Sequence, residues 1–216
     1  MRPAARRDQG KREAILAAAK RTFLDAGYDG ASMDAIAARA GVSKATVYGH
    51  FGSKEALFES IIRDLTRTLM RLPLGSPGTA KPAETLTVLA RRFVQILLDP
   101  SSLALYRVLI TEAPRNASLA QMTYRPGAET IVRELAEYLE GETARGTLAV
   151  ADPALAAEQF YGQLRGHLQL RALLRVEDKP TPQALDRFVD TAVGAFLRAY
   201  APVRASGVRE PARSPA

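Results

Sequence analysis

Five side chains within one short run, Lys44, Ala45, Thr46, Tyr48 and His50, have the chemistry to meet the edges and backbone of a DNA duplex. A lysine ammonium donates to guanine O6 or N7, an alanine or threonine methyl meets the thymine methyl, and the hydroxyls of Thr46 and Tyr48 reach phosphate or base. A helix would make them a set. Val47 and Phe51 lie four apart and turn inward with Ile36 and Val42, which leaves the other side chains outside. Lys54 follows at the start of the next helical run, within reach of a phosphate.

Holding five such groups at a groove requires a helix with a fixed start and a braced back. The 26 residues from Ser32 to Leu57, SMDAIAARAGVSKATVYGHFGSKEAL, supply both. Ser32, Ser43 and Ser53 each precede a helical run, where a hydroxyl accepts a bond from an otherwise orphaned backbone N–H. Gly41 takes the positive φ that ends one helix just before Ser43 caps the next. The spacing predicts helix, turn, helix, with the second helix offering its N-terminal residues to the major groove. An AGVS segment alone would favour a purely structural explanation, because capped helices joined by a glycine turn occur in many helical proteins.

The whole string is more specific. Through AGVSKATVYGHFGSKEAL and the upstream Ser32, Ile36 and Ala37 it resembles the DNA-binding segment of the TetR family of bacterial transcriptional regulators. The resemblance implies that Ser32, Thr46, Tyr48, His50 and Lys54 hold phosphates, while Lys44, Ala45 and Tyr48 read bases. Two positions depart from a simple transfer of roles. Gly49 stands where such proteins often carry a side chain able to reach DNA, and a glycine in a helix interior costs about 1 kcal/mol relative to alanine. Asp34 favours the dipole at its helix start yet repels phosphate, so it reads first as a dipole partner and second as a cytosine contact.

Charge agrees with this placement. The chain has a net charge of +7 over 216 residues. Residues 1–54 hold ten Lys or Arg against five Asp or Glu, a net +5, and the tail from Arg204 adds +2 with three Arg against Glu210. The middle is neutral. Arg2, Arg6, Arg7, Lys11 and Arg12 serve equally as a generic basic tail or as DNA contacts, and phosphate neutralisation would make affinity fall steeply with salt. With no cysteine, disulfides and thiolate chemistry are excluded. The apolar run Ala14 to Ala19 is too short for a signal segment or a membrane span, so a cytoplasmic, membrane-free protein is expected.

Hydrophobic periodicity and proline punctuation predict an all-α chain. Helices are expected at Asp8–Ala26, over the two motif runs, at Lys54–Leu72, Ala83–Leu98, Pro100–Glu112, Asn116–Met122, Pro126–Glu142, Pro153–Arg175 and Pro182–Tyr200. The fold class is a three-helix N-terminal DNA-binding domain over 1–54 and a C-terminal helical bundle for ligand binding and dimerisation over 55–203. Residues 73–82 read as a loop and 204–216 as a disordered tail. The helix from Lys54 is a natural rod between the two parts.

Two further sets of residues are singled out by type. Phe93, Tyr106, Met122, Tyr124, Phe160, Tyr161, Arg165 and His167 could line an apolar cavity with a few orienting groups, although core packing is the commoner fate of each Phe and Met. Leu155, Leu164, Leu168, Phe188, Ala192 and Phe196 lie on the last two long helices and form a candidate dimer interface, because a helix-turn-helix reader gains affinity from two half-sites. The resemblance implies a four-helix interface of this kind, and a small-molecule ligand that shifts the two reading heads.

The resulting expectation is a homodimeric regulator, a repressor, on a palindromic operator in double-stranded DNA, released by a small apolar or amphipathic ligand. No cofactor, metal or catalytic group is expected: there are two histidines, no HExxH, no GxSxG and no glycine-rich phosphate loop. The alternatives are an enzyme, for which the catalytic inventory is poor, and a helical adaptor, which leaves the basic head and its outward-facing side chains without a purpose.

Overall fold

The computed structural model describes residues 3–70, 80–176 and 180–202. The expected disordered tail and most of the expected loop at 73–82 lie outside the described residues, as does Arg2. Ten α-helices and one π-helical turn make up the described regular structure. They are α1 (Pro3–Gly30), α2 (Met33–Ala40), α3 (Lys44–Phe51), α4 (Lys54–Met70), α5 (Pro82–Leu97), α6 (Pro100–Glu112), α7 (Ala117–Tyr124), a π turn (Arg125–Glu129), α8 (Thr130–Ala144), α9 (Pro153–Leu174) and α10 (Pro182–Ala199).

The starts of these helices follow from capping chemistry. Asp99, Asn116, Asp152 and Thr181 accept bonds from the third backbone N–H beyond them. Pro82, Pro100, Pro153 and Pro182 occupy the first helical position, where the missing N–H would have had no partner. One proline behaves differently. Pro126 was expected to open a helix, but α7 passes through the π turn into α8 without a break. A wider turn absorbs the residue that cannot donate, and Thr130 Oγ1 donates to the carbonyl of Arg125 at 2.7 Å.

Two apolar clusters organise the molecule. The first joins Ile15, Phe23, Ile36, Val47, Leu57, Phe58 and Ile61 from α1 to α4. Phe23 stacks on Tyr28 at 5.6 Å and meets Phe58 edge-on at 5.1 Å, a sealed aromatic centre. Leu105 of α6 and Leu119 of α7 complete this same cluster. The boundary expected after residue 54 therefore falls ahead of three of the head's own core residues, Leu57, Phe58 and Ile61, and two more come from beyond residue 100.

The second cluster gathers α5, α8, α9 and α10 around Leu86, Leu135, Leu139, Phe160 and Leu164. It also corrects the expected dimer interface. Leu164, Leu168, Ala192 and Phe196 are buried in this core within a single chain, with Phe160 and Phe196 edge-to-face at 5.0 Å. Helix α9 is sandwiched between α8 and α5, which consumes the stripe that sequence periodicity leaves unassigned. Leu155 is 49% exposed and Phe188 is half-buried, so these two alone of the six reach the surface.

Cations brace two helix ends. Arg107 of α6 donates to the carbonyls of Ala172 and Leu173 at the end of α9, with distances of 2.9 to 3.0 Å. The last carbonyls of a helix have no internal partners and carry partial negative charge, so a guanidinium there satisfies both needs.

Candidate nucleic-acid interface and ligand cavity

The three serines cap as their positions demand. Ser32, Ser43 and Ser53 accept from the N–H groups of Ala35, Thr46 and Ala56, each at 3.1 Å. Gly41 has φ 66° and ψ 32°, the left-handed conformation that closes α2. Gly52, at φ 76°, closes α3 and turns the chain into α4. Ile36 and Val47 are fully buried and Phe51 nearly so, which fixes the roll of α3.

That roll sets the outward face. Lys44, Ala45 and Tyr48 are exposed, Thr46 is half-buried with its hydroxyl 2.8 Å from that of Ser43, and Ser32 is exposed at the start of α2. His50 is largely covered, its Nε2 3.5 Å from an oxygen of Asp8 on α1. Lys44 is not idle in the free molecule. Its Nζ lies 2.9 Å from Asp34 Oδ2, and this bond raises the lysine's pKa. Sequence reasoning placed Asp34 at the helix dipole and missed this partner, which sits ten residues away across the glycine turn. The i,i+4 rule for helix pairs does not see across such a turn.

Lys54 sits differently from the expected phosphate contact. Its Nζ donates to the carbonyls of Tyr28 at 2.9 Å and Ala31 at 3.2 Å, and lies 4.4 Å above the Tyr28 ring. The ammonium is turned into the protein, where it ties the start of α4 to the end of α1. The physical reason resembles that for Arg107: carbonyls at and just beyond a helix end carry partial negative charge that a cation complements. Beside it, the backbone N–H of Glu55 itself and the hydroxyl of Ser53 hold the Glu55 carboxyl below its usual range.

Below the head, helices α4 to α9 line a partly open cavity of about 740 Å³. Its wall is mostly apolar, with Ile62, Phe93, Ile96, Leu97, Leu105, Leu109 and Ile131. Arg165 and the buried Gln169 of α9 supply polarity, and Arg125 and Glu129 of the π turn stand at its exposed rim. Of the residues expected here, Phe93, Tyr106, Tyr124 and Arg165 line the cavity. Phe160 and Tyr161 do not, since both are packed into the second core, where burial raises the Tyr161 phenol's pKa. His167 is exposed, outside the cavity. The side chain of Met122 lies outside the described residues. Leu105, Ile131 and Gln169 were missed, and periodicity had no means to find them, because core and cavity leucines have the same spacing.

Leu105 has a double position. It is 1% exposed within the head's core and also forms part of the cavity wall. Ile62 and Leu109 likewise pack against the head's core and line the cavity. The reading head and the cavity thus share one wall. Among the described residues no single helix is long and apolar enough to cross a membrane.

Comparison with known proteins gives two family matches. Residues 15–61 match the model described as bacterial regulatory proteins, tetR family, and residues 84–202 match that of the AefR-like transcriptional repressor, C-terminal domain. Among curated relatives, the transcriptional activator FasR of Mycolicibacterium smegmatis is 47% identical over 53 residues, 24% of each chain. The regulator RutR of Escherichia coli O157:H7 is 27% identical over 143 residues, 66% of each chain. The chain therefore spans about a quarter of the length of FasR and two thirds of that of RutR. Solved structures align more fully. A TetR-family regulator from Mesorhizobium loti superposes with a TM-score of 0.79 at 32% identity, covering 93% of this chain and 100% of the other. The flavonoid-responsive regulator FrrA gives a TM-score of 0.73 at 36% identity, covering 90% and 98%.

Proposed function

Since the chain belongs to the TetR family of bacterial regulatory proteins, we propose that it is a homodimeric repressor that binds a palindromic operator and leaves it when a small molecule fills the cavity. The DNA reading rests on α3. Lys44 and Ala45 read base edges, with Tyr48 beside them, while Ser32, Thr46 and His50 hold phosphates. Lys54 acts as a brace rather than a contact. Asp34 holds Lys44 in the free head and must release it as the ammonium meets guanine.

The dimer is assigned to the outer faces of α9 and α10. Leu155 and Phe188 remain from the expected set, and Leu170 and Leu174 join them as large apolar side chains 49% and 63% exposed. Their burial against a second copy would remove an apolar surface that a single chain leaves in water. The domain assignment follows the two cores: a head that runs through Ile61, and a body that begins with α5.

The shared wall carries the switch. A ligand shifts a two-state equilibrium only through its differential affinity for the two states. Leu105, Ile62 and Leu109 give that difference a physical route, because a ligand pressing on them presses on the seat of the head. The name of FrrA, a regulator responsive to flavonoids, supports an amphipathic ligand for a cavity of this kind. Selection of bound fragments from random duplex DNA is expected to enrich one palindrome, with binding that weakens steeply as salt rises. Folded protein that enriches no palindrome overturns this function.

A further inference from the structure

Arg165 is the odd group in the cavity. Its Nε is fully covered and has no hydrogen-bond partner. The guanidinium lies 5.9 Å from the centre of the Phe93 ring and 6.0 Å from that of Tyr106, two aromatic faces that attract the cation but supply no oxygen acceptor for its N–H groups. Among the described residues no carboxylate oxygen comes within ion-pair distance of it, whereas Arg91 has both Asp186 and Asp190. Arginine cannot escape the cost of burial by losing its proton. An unpaired, partly desolvated cation is costly unless an anion or strong acceptor arrives.

The position of this cation in α9 is also unusual. The next residue, Gly166, interrupts the helix with φ 24° and ψ −138°. A side chain there would be strained, so the glycine fixes a bend directly after Arg165. The bend gives the arginine an attachment that differs from a regular helix face, and Gln169 lies one turn further along the same wall. A small turn of the guanidinium toward the cavity offers Nε and a neighbouring Nη as a fork, the geometry that takes a carboxylate or sulfonate with two parallel bonds.

We propose that the cavity takes an amphipathic anion, whose acid group is held by Arg165 and whose apolar or aromatic body lies against Phe93, Tyr106, Leu105 and Ile131. This rests on the reading of the cavity as the effector site and adds the chemical class of the effector. A neutral apolar molecule would fill the volume but leave the guanidinium without its acceptor. A cation would meet repulsion from Arg165. The volume of about 740 Å³ suits a molecule of drug-like size.

The test uses two fluorescent probes that share an aromatic body and differ by one sulfonate: 1-anilinonaphthalene-8-sulfonate and the neutral N-phenyl-1-naphthylamine. Full-length wild-type protein is titrated beside Arg165→Met, Arg165→Lys and the surface control Arg92→Met. The expected result is one site per chain that prefers the sulfonate by roughly tenfold, a preference lost in Arg165→Met and reduced in Arg165→Lys, while the neutral probe stays within about twofold throughout. Arg92→Met should behave as wild type, which separates a built site from the general positive charge. If both probes bind and Arg165→Met keeps the sulfonate preference, the anion assignment is wrong while the cavity reading stands. If folded wild-type protein binds neither probe, the cavity reading fails and takes this inference with it.

Discussion

The head and the body of this molecule are built from similar helices but use their cores in opposite ways. In the head, Phe23, Tyr28 and Phe58 close on one another at 5.1 to 5.6 Å, and the polar groups at the helix ends are spoken for by Ser32, Ser43, Ser53 and Lys54. In the body, α4 to α9 pack so as to leave between them a cavity with a cation on its wall. A head proposed to read DNA through the side chains of α3 needs them held in one geometry, which tight packing provides. A body proposed to sense a ligand needs two states, which an unfilled cavity permits. Packing that is bistable rather than continuously deformable is what turns a small local change into a larger one.

The sharpest way to break this contrast is at the wall the two regions share. Leu105→Ala and Leu139→Ala each remove a buried leucine, one from the shared wall and one from the body's core. Each should cost about 2 to 5 kcal/mol in urea or thermal unfolding. Only Leu105→Ala should also change operator affinity per folded molecule and the affinity of the cavity for its probes. Should both variants affect DNA binding alike, the shared wall is not the route between the sites.

The next contrast lies within the head, between two lysines ten residues apart. Lys54 bonds two carbonyls and covers the Tyr28 ring, so Lys54→Ala should lower stability by roughly 1 to 3 kcal/mol, as expected for hydrogen bonds to a charged group. Its salt slope for DNA binding should stay as in wild type. Lys44→Ala should leave unfolding unchanged and weaken binding to the selected palindrome by about tenfold or more, with little loss on random duplex. A gel shift across a salt series decides between the roles. If Lys54→Ala flattens the slope by about one unit at full stability, the ammonium leaves its carbonyls to bind phosphate.

The contrast between regions also explains how much could be read from the chain. Ser32, Gly41 and Ser43 act through bonds to backbone three or four residues away, and Val47 and Phe51 through a helical period, so residue order alone exposes them. Lys54 was expected at a phosphate, and its carbonyl partners in the free chain, Tyr28 and Ala31, escaped notice because they lie more than twenty residues upstream. The body depends almost wholly on such distant pairings. Leu164, Leu168, Ala192 and Phe196 have the spacing of an exposed interface and of an interior alike, and the order in which α5, α8, α9 and α10 pack decides which. Arg165 stood out as a charge interrupting an apolar helix, but its isolation appears only when every neighbouring element is in place.

Asp34→Asn tests the hold on Lys44. The pair is exposed on both sides, so little stability should change. Removing the carboxylate frees the ammonium and takes a negative charge from the DNA face, so affinity for duplex DNA should rise by roughly two- to fivefold at low salt and converge with wild type as salt screens the difference. Unchanged affinity at low salt would mean that the bond to Asp34 does not compete with DNA.

The smallest expected effect separates stability from contact at a single atom. Gly49 lies on the outward side of α3, one turn beyond Ala45, and a Cβ placed there meets nothing within 4 Å. Gly49→Ala should therefore stabilise the head by about 1 kcal/mol, the helix preference of alanine over glycine. The same methyl would stand between the helix backbone and the groove. A glycine with room for a side chain in the free protein, on the face proposed to meet DNA, is what close backbone approach to a partner requires. Thermal unfolding should rise while affinity for the palindrome falls severalfold. If both rise together, the backbone of α3 stays clear of the duplex at this position.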